Sequence, residues 1–250
     1  MSGHSKWSKI KRAKGASDTN RGQLFTKLTR EIIVSARQGG GNPESNFRLR
    51  LAIQKARDSN MPLDNVERAI KKGSGAADAS ALTELTLEGY GSSGVAVMVE
   101  AVTDNRNRTI SEIRNVFTRH GGNLGEAGSV SWLFDNRGII TVDTKNVNAD
   151  DLALIAIDAG ADNVTTEKGY LEILVTPQKL EMVRKAIEQK KPIVSAEISL
   201  IPKSTVMVDE QNAIKVLKLL DHLEELDDVQ RVFSNVDYNE SVLEKLQAQV

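Results

Sequence analysis

The sequence predicts an α and α+β protein: an N-terminal helical domain followed by two α+β domains, one ferredoxin-like and inserted into the other. Three observations carry this. Apolar residues before about residue 72 recur at helical spacing, and beyond Leu82 they alternate. Residues 137–201 then read strand, helix, strand pair, helix, strand, the split-βαβ order of a ferredoxin-like unit.

In chain order, Leu24, Phe25, Leu28, Ile32, Ile33 and Ala36 predict a helix from about Leu24 to Arg37, ended by Gly39–Gly41. Asn42-Pro43 supplies an N-cap and first-turn pair for a second helix, which Phe47, Leu51, Ala52 and Ala56 carry to about Asp58. Asp64 and Glu67 have capping-box spacing for a third, which Gly73 closes as its C′ residue. The small, flexible run from Ser74 to Ala81 reads as a domain boundary. Strands are expected at Leu82–Glu88, Gly94–Val102, Val130–Phe134, Ile139–Asp143, Tyr170–Thr176, Ser195–Ile201 and Val229–Asn235. Helices are expected near Thr109–His120, Ala149–Ala159, Pro177–Gln189 and Glu210–Leu226. The expected domains are 1–77, 78–135 joined to 203–250, and the insertion 136–202.

Charge is divided between these parts. Residues 1–72 hold 16 Lys and Arg against 6 Asp and Glu, a net of +10, whereas the remainder carries −11 and the whole chain only −1. Such asymmetry points to a polyanion-binding segment on an acidic body. Lys6, Lys9, Lys11, Arg12 and Lys14 lie within nine residues without an acid, around Trp7. Cations there would neutralise phosphates and release counterions, while the indole stacks on a base or packs beneath the arm. With His4 as an ordering residue and Arg21, Lys27, Arg30, Lys71 and Lys72 along the helices, they form the candidate nucleic-acid-binding set. Arg106, Arg108 and Arg119 are a candidate secondary phosphate contact. Acidic Glu224, Glu225, Asp227 and Asp228 read as a solvated or protein-contact patch.

Nothing points to catalysis. Gly89-Tyr-Gly-Ser-Ser-Gly94 matches G-x-G-x-x-G, but a strand follows where a dinucleotide fold needs a helix, so it reads as a hairpin turn. The chain has no cysteine, which excludes disulfides, thiolate nucleophiles and cysteine zinc sites. His4, His120 and His222 are scattered, so neither metal nor cofactor is expected. No apolar run reaches the roughly 18–20 residues that span a bilayer, and the N-terminus lacks a secretory h-region. A cytoplasmic protein without a membrane partner is therefore expected.

Several of these residues also form longer motifs. Gly3-His-Ser-Lys-Trp7, Arg21-Gly22 with Phe25-Thr-Lys-Leu28, Asn60-Met-Pro62, Asp64-Asn65 and Glu67-Arg-Ala-Ile-Lys-Lys-Gly73 stand in order. Glu88-Gly-Tyr-Gly91, Thr103-Asp-Asn105 and Leu226-Asp-Asp-Val-Gln230 follow. Together they resemble the YebC/PmpR family, whose eukaryotic relatives include a mitochondrial translational activator of cytochrome c oxidase. Lys9 departs from the family's usual Asn, and Ser92-Ser93 from its common Pro-Gly. The resemblance implies a non-enzymatic three-domain protein with the third domain set into the second. It implies a DNA-binding transcriptional regulator first. The alternative it implies is a ribosome-associated translation factor that binds ribosomal or transfer RNA and relieves stalling at proline-rich stretches. No helix-turn-helix stands out in the N-terminal helices, which keeps the alternative close.

Overall fold

Three helices open the described chain: α1 (Asp18–Gly39), α2 (Phe47–Asp58) and α3 (Leu63–Ser74). The computed structural model describes residues 18–75, 82–145, 147–167 and 169–239. The expected contacts His4, Lys6, Trp7, Lys9, Lys11, Arg12 and Lys14 lie outside them, as does most of the linker. Helix α1 begins ahead of the expected Leu24 and buries Leu28, Ile32, Ile33 and Ala36 against Leu49, Ala52, Ile53 and Ala56 of α2 and Val66 and Ala69 of α3.

Three local expectations for these helices are corrected. The N-cap of α2 is Asn46, not Asn42: its Oδ1 accepts the Leu49 N–H at 3.0 Å, and its Nδ2 donates to Ser35 O and Gly40 O, both at 2.8 Å. One buried amide thus closes the end of α1 and starts α2. Asn42 instead turns the connection, its Oδ1 accepting the Glu44 N–H at 2.9 Å. Helix α3 starts at Leu63 behind Pro62 with no side-chain cap, so Asp64 sits in its first turn rather than capping it. Gly73 lies inside α3 rather than beyond it. A Cβ there would stand 2.4 Å from Ile33 O and 2.8 Å from the Ala36 Cβ, so the position serves the close approach of α1 and α3. Gly73→Val is expected to cost about 3 kcal/mol, at the upper end of overpacking costs because backbone must move. A thermal melt no lower than wild type would refute that close approach.

Beyond the linker, β1 (Thr83–Tyr90) and β2 (Ala96–Thr103) form an antiparallel hairpin through a 3₁₀ turn at Ser92–Gly94, closed by Gly91 N–H to Val95 O at 2.8 Å. The glycine-rich motif is the turn of that hairpin. Helix α4 (Arg106–Arg119), β3 (Asn123–Leu124), β8 (Val206–Met207), α7 (Glu210–Glu225), β9 (Val229–Ser234) and β10 (Val236–Asp237) complete this part. The sheet order is β3-β1-β2-β9, with β8 and β10 as a parallel pair. Ile113 and Phe117 of α4, with Val216, Leu217, Leu220 and Leu223 of α7, bury against Leu85, Val97, Val99 and Val232 of the sheet.

The expected strand at Val130–Phe134 is corrected to a 3₁₀ turn, Ser131–Leu133, with a strand beginning only at Phe134. The Glu88 carboxylate takes the N–H groups of Gly128, Val130 and Ser131 at 2.7–2.8 Å, and backbone donors bound to a side chain cannot also enter a ladder.

Residues then divide into two compact units, Met1–Leu133 with Pro202–Val250, and Phe134–Ile201. The second holds β4 (Phe134–Asp143), α5 (Ala149–Asp158), β5 (Asn163–Glu167), β6 (Tyr170–Val175), α6 (Leu180–Glu188) and β7 (Ser195–Pro202), whose last residue belongs to the first unit. Its sheet order, β5-β6-β4-β7, and antiparallel β4–β6 and β5–β6 pairs are those of a ferredoxin-like fold. Ile140, Val142, Leu171, Ile173, Val183 and Ile187 are fully buried within it.

Candidate nucleic-acid interface

The basic face of α1 is turned toward the acidic turn between α7 and β9. Gln23, Lys27 and Arg30 stand at helical spacing, on one side of α1. Gln23 Nε2 donates to Asp227 Oδ1 at 3.2 Å, Lys27 Nζ to Glu224 O at 2.5 Å, and Arg30 Nη1 to Asp227 O. Arg30 also pairs with the Asp228 carboxylate at 2.9 Å. The docking partner of Glu224, Asp227 and Asp228 in the structure is therefore α1 of the same chain, while the Glu225 side chain remains exposed. Lys27 and Arg30, expected on nucleic acid, are occupied here.

Asp228 is the centre of this junction, only 4 % exposed. Besides Arg30, it accepts from Arg108 Nη2 at 2.7 Å, Thr109 Oγ1 at 2.6 Å and Thr103 Oγ1 at 2.9 Å. Burial works to raise its carboxyl, but these donors and the Arg30 charge more than offset that and hold it below the ordinary range. The bonds that Arg108 donates to Asp228 and to Asp104 raise its guanidinium. A second ionic hub lies where α2 meets the start of β1: Arg48 pairs with Glu84 at 2.5 Å and Glu31 at 3.1 Å and donates to Gln38 at 2.7 Å. Gln38 also donates to Glu84, and Arg37 to Leu82 O at 2.6 Å. Burial raises the Glu84 carboxyl, yet Arg48 and the other donors bring it below its usual value.

The remaining expected cations are dispersed. Arg21 is exposed, its guanidinium 5.4 Å from the Phe25 ring centre. Lys71 and Lys72 are exposed in the last turn of α3, where cations also complement the helix dipole. Exposed Lys55 and Arg57 end α2. Arg106 and Arg119 are exposed at opposite ends of α4, about 20 Å apart at the helical rise, and Arg108 is tied to Asp104 and Asp228. The structure does not bring that trio together as one phosphate contact. Sequence reasoning also passed over Gln23 and Glu84, whose roles depend on which faces of separate elements meet.

The sequence that builds this helical bundle and α+β body is similar to those of known proteins. Residues 5–76 match the model of the TACO1/YebC protein N-terminal domain, and residues 82–236 match that of the TACO1/YebC second and third domain. The chain belongs to the TACO1/YebC family. Among its TACO1/YebC relatives, a "probable transcriptional regulatory protein" of Dehalococcoides mccartyi is 57 % identical over 250 residues, covering all of both chains. One of Natranaerobius thermophilus, with the same name, is 49 % identical over 98 % of this chain and 99 % of its own. The crystal structure of a conserved hypothetical protein from Aquifex aeolicus superposes with a TM-score of 0.82 at 51 % identity, covering 89 % of this chain and 92 % of that one. The names of the Dehalococcoides and Natranaerobius relatives are those of regulators, not of enzymes. Among the described residues no helix is long and apolar enough to cross a membrane.

Proposed function

We propose that this TACO1/YebC protein is a non-enzymatic regulator of gene expression that binds nucleic acid through residues 1–77, and that its target is DNA in transcriptional control. The charge partition carries this reading: a segment of net +10 joined to a body of net −11. The names of the relatives support the regulatory half. The expected contacts are the arm Lys6–Lys14, with Arg21, Lys71 and Lys72 on the helices, whereas Lys27 and Arg30 hold the bundle to the body. The cytoplasm is the proposed location.

A second reading, a translation factor on the ribosome, is favoured by a specific observation. The exposed cations Lys55, Arg57, Lys71, Lys72, Arg106 and Arg119 are divided among α2, α3 and α4 rather than set along one helix, a spread that suits a broad RNA surface better than a single groove. Sedimentation of the purified protein with ribosomes, beside titration onto duplex DNA across salt, separates the two. Sequence-selective DNA binding at physiological salt without ribosome co-sedimentation is the expected result. Ribosome association that survives salt while DNA binding vanishes would overturn the transcriptional reading.

A further inference from the structure

Between β3 and β4 the chain makes a loop that is held at many points yet offers an aromatic ring to solvent. Glu88, buried on β1, grips the backbone of the loop through Gly128, Val130 and Ser131, and its own carbonyl accepts the Gly125 N–H at 2.8 Å. Burial works to raise the Glu88 carboxyl, and the three N–H donors bring it below its usual value, so it stays ionised at neutral pH. Tyr90 Oη donates to Ser129 O at 2.8 Å, and Lys203 N–H to Leu133 O at 2.8 Å. The next side chain, Trp132, is nevertheless 63 % exposed.

Fixing a loop so firmly while leaving an indole in water gains nothing for folding, since the ring buries little apolar surface. Its polar group is already used, because Trp132 Nε1 donates to Ser129 O at 3.1 Å. What remains is a preorganised π-face. The exposed Lys203 holds the backbone of the same residue, its Nζ donating to Trp132 O at 2.9 Å, which keeps a cation on this loop. Within the loop Val130 is fully buried and Leu133 half-buried, so the exposed apolar surface here is essentially one ring. That is little for docking a protein, whose hot spots need surrounding contacts that exclude water, and enough for a base, which needs only a face and a nearby cation for its phosphate.

We propose that Trp132 is a stacking platform for an unpaired nucleobase, with Lys203 beside it as a phosphate contact. This deepens the nucleic-acid reading above and rests on it. The platform lies outside the basic segment, so it would engage a strand whose backbone also contacts residues 1–77.

The test compares the full-length protein with Trp132→Ala and Trp132→Phe, binding about twelve-nucleotide oligo(U), oligo(dT) and a duplex DNA. Alanine is expected to weaken binding of a single strand roughly 5- to 100-fold, phenylalanine to retain most of it, and the duplex, whose bases are already stacked, to be indifferent. Stacking also quenches indole emission, and the Trp132 share of that quenching is what disappears in Trp132→Phe. Melting temperatures should agree within about 2 °C, as for an exposed substitution. Loss confined to oligo(U) identifies RNA as the source of the base, and loss on both strands identifies single-stranded nucleic acid generally. Wild-type affinity of Trp132→Ala for every probe, or equal loss on the duplex, overturns the platform while leaving the basic segment as the contact. Failure of the unaltered protein to bind any probe overturns both.

Discussion

Asp228→Ala is expected to lower the melting temperature by about 6–12 °C, equivalent to roughly 3 kcal/mol for a protein of this size. The carboxylate is nearly inaccessible and receives two guanidinium groups and two hydroxyls. Removing it strips Arg30 of its carboxylate partner, leaves Arg108 with Asp104 alone, and leaves Thr103 and Thr109, both fully buried, without its oxygen. Asp228→Asn should cost less because it keeps an acceptor. Its pH dependence follows from a depressed folded-state value. The stabilisation is fully present above the ordinary aspartate value of 3.8 and is lost as pH falls through the lower folded value. The alanine variant should therefore show a flatter loss of stability below about pH 4. A melting temperature within about 1 °C of wild type would sink the claim that Asp228 secures the bundle to the body.

The triple substitution Lys6→Glu, Lys11→Glu, Arg12→Glu is expected to abolish nucleic-acid binding at physiological salt, an effect of at least about 100-fold. It reverses three charges and takes the basic segment from +10 to +4. If each cation meets one phosphate, the slope of log affinity against log salt should fall by about two to three. The melting temperature should be nearly unchanged. Salt titration of wild type and variant by fluorescence anisotropy measures both quantities, and unaltered binding would rule out the arm as the contact.

Much of this architecture is legible from local patterns. The period of Leu28, Ile32 and Ile33 places α1 and its buried face, and the strand-helix order over 137–201 specifies the ferredoxin-like unit. What is not legible depends on pairs distant in sequence. Gly73 reads as a helix terminator until the carbonyl of Ile33 is seen against it. Val130–Phe134 has strand composition, but Glu88, far away in the chain, captures its donors. The candidate site divides in the same way. Net charge identifies the basic segment, yet it cannot tell Lys71, which faces solvent, from Arg30, which faces Asp228. A row of acids after a helix looks alike whether water or another helix covers it.

The hydrogen bond from Lys203 N–H to Leu133 O has a kinetic meaning. Strand β2 must find β9, pairing Val97 with Ser234 across more than half the chain, and closure entropy grows with the length of loop left open. Residues 133 and 203 meet at the neck of the inserted unit, so once that unit has folded, the loop to be closed no longer includes its residues. A late pairing of high contact order is thereby shortened before it begins. An insertion that folds before the central sheet closes acts as a splint, bringing the two halves of that sheet within reach of each other.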